Sequence, residues 1–127
     1  MKLASIDVGL KRIGIAICLT SDIVTPQAAI LRKNRNQAAR DVNIFLKEWE
    51  IEKLIVGFPS ASIDMQNRIN HFVSLLELEI PYEFCEENMS SIEAEDLIKG
   101  EIKYKRDGRV DSLAAKIILE RFLAKKP

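Results

Sequence analysis

Apolar and polar residues follow two different rhythms along this chain. Leu3 to Val8 is a short apolar run stopped by Gly9. Ile13 to Leu19 is a second, joined to the first by the turn Gly9-Leu10-Lys11-Arg12. Apolar runs of this length bounded by turn residues predict strands. Ile23 to Leu31 reads as a third, with Pro26 restricting part of it to an edge or entry position because proline donates no ladder hydrogen bond. Three successive strands at this spacing predict an antiparallel meander.

The period then lengthens. Ala38, Val42, Phe45, Leu46 and Trp49 fall on one side of a 3.6-residue repeat, which predicts an amphipathic helix with Trp49 in its apolar stripe. Lys53 to Phe58 returns to a buried strand, closed by Pro59. A second helix carries Met65, Ile69, Phe72, Val73 and Leu76, with Ser62 placed to cap it. Pro81 ends that segment, and Tyr82 to Cys85 forms a short strand. Ser90-Ser91-Ile92-Glu93 has capping-box form and predicts a helix to about Ile98. Lys99 to Gly108 lacks periodicity and reads as a loop. Val110 to Ala124 is helical, with Val110, Leu113, Ala114, Ile117 and Ile118 expected on the buried side. The order βββ-αβ-αβ-αα implies one α+β or mixed α/β domain spanning residues 1–127.

Composition narrows the chemistry. The two cysteines build no disulfide framework, and with a single histidine they cannot complete a zinc site. No apolar run approaches the roughly 20 residues of a membrane span. The N-terminus reaches the carboxylate of Asp7 too early for a secretory signal, so a reduced, cytoplasmic setting is expected. Net charge is zero, from 19 basic and 19 acidic residues, but the charges are segregated. From Glu77 to Asp96 the chain carries acids and no Lys or Arg. Lys99, Lys103, Lys105, Arg106 and Arg109 follow, and a second basic cluster is Arg32, Lys33 and Arg35. An acidic centre between basic patches suits a metal site that also holds a polyanion. The loop from Lys99 to Arg106 is the best candidate for contact with a nucleic-acid backbone. His71 is expected on the polar side of its helix, and Cys85 as a small buried hydrophobe.

Three acids stand at element ends. Asp7 lies near the end of the first strand among core residue types. Glu87 follows the strand Tyr82 to Cys85, and Asp111 begins the last helix. A carboxylate near a low-dielectric interior is costly unless paired or metal-bound. Mg²⁺ and Mn²⁺ prefer such hard oxygen ligands, and two ions held this way hydrolyse phosphodiesters with no histidine or cysteine nucleophile.

The stretch Ile6-Asp7-Val8-Gly9-Leu10-Lys11-Arg12-Ile13-Gly14-Ile15-Ala16 closely resembles the opening of the YqgF family, bacterial ribonuclease H-like proteins also described as Holliday-junction-resolvase-like. Val56-Gly57-Phe58-Pro59, Glu86 to Glu95 and Val110-Asp111-Ser112-Leu113-Ala114-Ala115 are similar to the family's further blocks, in the same order. The resemblance implies an α/β fold of ribonuclease H-like type, in which an antiparallel meander plus parallel strands form a mixed sheet flanked by helices. It also implies a metal-dependent nuclease that processes the 5′ end of pre-16S ribosomal RNA. The family's acids fall on Asp7, Glu87 and Asp111, its basic turn on Lys11 and Arg12, and a further basic position on Arg109. Two departures stand out. Asn88 replaces a usual arginine, and Ser60-Ala61-Ser62-Ile63-Asp64-Met65 lacks the usual glycine, so two expected phosphate contacts are missing.

The alternatives are a resolvase for branched DNA, which favours a two-fold dimer over a monomer or weak homodimer, and a catalytically weak module that binds nucleic acid. An ATPase of the actin or sugar-kinase type also begins with strand, Asp and Gly, but needs two such domains and a far longer chain.

Overall fold

The computed structural model describes residues 1–20, 23–86 and 109–125, with side chains in the last segment from residue 112 onward. Five strands form one sheet: β1 Leu3–Val8, β2 Arg12–Cys18, β3 Thr25–Leu31, β4 Lys53–Phe58 and β5 Tyr82–Glu86. Among the described residues, three helices accompany them: α1 Arg35–Glu48, α2 Ile63–Leu75 and α3 Arg109–Lys125. The spatial order is β3-β2-β1-β4-β5. The first three strands are the expected antiparallel meander, while β4 pairs parallel to β1 and β5 parallel to β4. The C-terminal ends of β1, β4 and β5 therefore share one edge of the sheet.

Strand alternation divides the core in two. Ala4, Ile6 and Val8 of β1 pack with Ala38, Val42, Ile69 and Phe72 of α1 and α2. Leu3 faces the other way and joins Ala16, Cys18, Ile55 and Cys85 against Ala115, Ile118, Leu119 and Phe122 of α3. Strands buried on both faces read as near-continuous apolar runs, which is the pattern of β1, β2 and β4 apart from Ser5 and Asp7 and the leading Arg12 and Lys53.

Local signals set the helix ends. Asn34 caps α1 through a capping box with Gln37, and Ser62 caps α2 by accepting from the Met65 amide, as its position suggested. α1 ends in a Schellman arrangement. The amides of Glu50 and Ile51 donate to the carbonyls of Lys47 and Leu46, and Glu50 takes a left-handed φ of 52°.

Three helical expectations change. Leu76 lies beyond α2 as an extended C-cap, although it is buried. Trp49 is the C-cap of α1 and 36% exposed, because the helix ends before the stripe can carry its ring into the core; it leans on Phe45 instead. In α3 the buried side turns out to be Ser112, Ala114, Ala115, Ile118, Leu119 and Phe122, with Leu113 and Ile117 only partly buried. The helix expected from Ser90, the loop from Lys99 to Gly108 and the side chain of Val110 lie outside the described residues. Among the described residues, no helix is long and apolar enough to cross a membrane.

Candidate active site

Asp7 is a buried acid, 8% exposed, one residue from the C-terminal end of the central strand β1. Its backbone pairs with Gly14 of β2. On the other side Ile6 faces Val56, which brings Asp7 level with Gly57, and Gly57 faces Cys85 of β5. Both strands flanking Asp7 thus carry glycine at its level, so neither puts a side chain beside the carboxylate. Asp7 shares a strand face with Ser5, two residues earlier. That is the α3 face, since the Ser5 hydroxyl donates to the Ala115 carbonyl at 2.6 Å.

This hydrogen bond and a second one position α3. The Ser112 hydroxyl donates to the Gln27 carbonyl of β3. Farther along, the Phe122 ring lies 5.2 Å from Lys53 Nζ, and Lys53 faces Leu3 at the start of β1. α3 therefore runs against β1, with its N-terminal turn toward the Asp7 end. Asp111 occupies that turn, one residue before Ser112 and one turn before Ala115; its side chain is not among those described. Glu87 comes directly after β5, outside the described residues. Its neighbour Glu86 is exposed at the same sheet edge and accepts from the Ser60 hydroxyl at 2.8 Å. Among the described residues no three His, Cys, Asp or Glu side chains gather to hold a metal. Of the expected triad, that set contains only the Asp7 side chain.

The turn after Asp7 is tightly built. The Gly9 amide donates to the Arg12 carbonyl at 3.0 Å, and a Cβ at Gly9 would stand 2.6 Å from that oxygen, so only glycine fits without a shift. Lys11 is exposed at the turn and Arg12 half-buried at the start of β2. Arg32 secures the turn from β3's end: its Nη1 donates to the Gly9 carbonyl and its amide to the Lys11 carbonyl, each at 2.9 Å. Burial, and then the positive charges of Arg35 and Arg68, push the Arg32 guanidinium below its ordinary pKa. Arg109 is the first residue of α3, with its side chain undescribed, and Lys103, Lys105 and Arg106 lie outside the described residues.

His71 is exposed, as expected, and its Nε2 sits 3.0 Å from Arg35 Nη1. Cys85 is buried, as expected, and its thiol faces the Ile118 carbonyl. Burial raises the Cys85 pKa, the environment of a structural rather than a reactive cysteine. Residue patterning did not single out Ser5, Ser112, Gly14 or Gly57, and it gave Arg32 only as part of a basic cluster, not as the residue that holds the turn. A usable signal was present for Ser5, a polar residue inside an apolar strand and in phase with Asp7.

The comparisons with known proteins agree with this architecture. A family model described as RuvX, Holliday junction resolvase, matches residues 1–125. A relative from Sulfurovum sp. (strain NBC37-1), provisionally named a pre-16S rRNA nuclease, is 64% identical over 127 residues, covering 98% of this chain and 99% of its own. Relatives under the same name are 50% identical in Sulfurimonas denitrificans, covering 99% of both chains, and 51% identical in Helicobacter pylori (strain Shi470), covering 91% of this chain and 90% of that one. Among solved structures, Thermus thermophilus RuvC in complex with a Holliday junction substrate superposes with a TM-score of 0.61 at 14% identity, covering 100% of this chain and 99% of RuvC. The fowlpox virus resolvase with its junction DNA gives 0.58 at 16% identity, covering 98% and 97%. At such identities the likeness concerns the fold, which is the expected ribonuclease H-like mixed sheet. The match over residues 1–125 reaches further: this chain belongs to the RuvX family, described as Holliday junction resolvases.

Proposed function

We propose that this nuclease holds Mg²⁺ or Mn²⁺ on Asp7, Glu87 and Asp111 and hydrolyses phosphodiester bonds in structured RNA, with the 5′ end of pre-16S ribosomal RNA as its substrate. Residues 1–127 act as a single domain, in the cytoplasm, as a monomer or weak homodimer. The observation that carries the reading is Asp7: a buried carboxylate at the end of the central strand, flanked by glycine positions, with the first turn of α3 running toward it. The RNA substrate is favoured by the name that the relatives share.

The donor set fits the cation, because three carboxylates are hard oxygen ligands and like charges so gathered call for a divalent ion. When bound, the ion supplies a water of lowered pKa and neutralises charge on the phosphoryl oxygens. The chain's own part is orientation. β1 fixes Asp7 from within the sheet, and Ser5 and Ser112 fix the helix that carries Asp111. Lys11 and Arg12 in the turn after Asp7, Arg109 at the start of α3, and Lys103, Lys105 and Arg106 before it grip the sugar-phosphate backbone.

A second reading, resolution of four-way DNA junctions, is favoured by the family description. One experiment separates the two: purified protein is incubated with pre-16S RNA and with a four-way junction, in Mg²⁺, Mn²⁺ or EDTA. Cleavage of the RNA that needs the ion is the expected result. Asp7→Asn and Asp111→Asn should each lower it by about 100-fold or more, the scale of removing one electrostatic contact to a transition state. Undiminished cleavage by the double variant would remove the assignment of these residues.

A further inference from the structure

We propose that the basic groove between the start of α1 and the C-terminal half of α2 is a second subsite for the nucleic-acid backbone, holding the strand that leads away from the acidic edge. The proposal rests on the nuclease reading above. The groove has a volume of about 700 Å³, and its lining includes Leu10, Arg32, Lys33, Arg35 and His71 but no carboxylate. Among the described residues no acid forms an ion pair with Arg32, Lys33, Arg35 or Arg68. Burial first, and then the neighbouring charges of Arg35 and Arg68, hold the Arg32 guanidinium below its ordinary pKa, so these cations lie close enough to repel one another. In a chain with as many acids as bases, such a gathering of unneutralised charge costs stability, and a polyanion relieves it.

Position selects the polyanion. Arg32 is bonded to Gly9 and Lys11, so the groove abuts the turn that begins two residues after Asp7. Leu10, 62% exposed, stands at the rim between the two. Asp7 faces α3, whereas Arg32 lies over the Phe72 ring on the α2 side, at 5.7 Å. A strand engaged at the acidic edge can therefore pass over the turn and lay its phosphates along Lys33 and Arg35. An acidic protein segment matches the charge but lacks this reason to lie beside the nuclease edge.

The test measures binding without cleavage. Affinity for an RNA hairpin and for a four-way DNA junction is followed in EDTA across a salt series, using Lys33→Gln/Arg35→Gln. Each phosphate contact contributes roughly 0.7–0.9 to the slope of log affinity against log salt. The double variant should bind about tenfold more weakly at low salt, with the slope reduced by about 1.5. Arg35→Lys, which keeps the charge, should restore its share. Lys47→Gln, at the far end of α1, should match the wild type. Thermal unfolding checks the fold, and Lys33→Gln alone serves if the double variant is unfolded, because the Lys33 amide, not its side chain, makes the contact with Gln37. Loss with both ligands assigns the groove to the shared backbone; loss with RNA alone assigns it to RNA. Wild-type affinity and slope in the variants, with cleavage intact, would overturn this proposal and leave the nuclease reading standing. Groove-dependent binding of a polyglutamate peptide as tight as that of RNA would overturn it in favour of a protein partner. A wild-type protein that neither binds nor cuts nucleic acid overturns both.

Discussion

At the scale of single residues, the candidate site depends on atoms that do no chemistry. Gly9 is the clearest case, because the Arg12 carbonyl occupies the space a side chain would need. Gly9→Ala should therefore cost about 1–3 kcal/mol, the usual range for forcing an extra carbon into a filled space. Urea unfolding reads that loss directly, and wild-type stability in the variant would mean that the turn yields freely. Arg32 and the hydroxyls of Ser5 and Ser112 are of the same kind, since each fixes backbone on which a candidate ligand or phosphate contact is carried. These positioning roles were the least legible in the sequence. Serine and arginine are common surface residues, and only the fold gives Ser5 a helix carbonyl to meet and Arg32 a turn to hold. Asp7 was legible, because an acid inside an apolar strand has few bland explanations.

Among the elements, legibility followed the number of faces each one buries. β1 and β4 end at the residues where their apolar runs end, since a strand covered on both sides is mostly apolar, and the polar Ser5 and Asp7 within β1 both face α3. α3 was harder to orient. Val110, Leu113, Ala114, Ile117, Ile118 and Leu119 are apolar over more than half the helix circumference, so period alone leaves its rotation open. The polar Ser112 was not assigned to the buried side, although it is 1% exposed and bonds Gln27. The observed rotation has a measurable consequence. Leu119→Ala removes a fully buried side chain and should destabilise by about 2–5 kcal/mol. Ile117→Ala, on the half-exposed side, should cost well under half of that. Chemical denaturation of the two variants checks the rotation, and the reverse order would mean that α3 presents its other stripe to the sheet. The α3 face also carries Asp7, so the same rotation governs how the first turn of the helix, with Asp111, meets the strand end.

For the molecule as a whole, the proposed ligands come from the first strand, the segment after the fifth and the last helix, with Asp7 far along the chain from both Glu87 and Asp111. Such a site forms only when the fold does, so an ion bound there must stabilise the folded state. At a free concentration one hundred times its dissociation constant, a ligand of the native state alone adds about 2.7 kcal/mol. Wild-type protein should therefore melt several degrees higher in Mg²⁺ or Mn²⁺ than in EDTA. Asp7→Asn and Asp111→Asn should lose the increment, while Glu79→Gln, an exposed acid before β5, should keep it. Thermal unfolding of the four proteins with and without the ion provides the measurement, and it requires no substrate. If Asp7→Asn gained as much as the wild type, the cation would be bound elsewhere, in the acid-rich stretch from Glu77 to Asp96 for example. The meeting of β1 with α3 would then be a matter of packing alone.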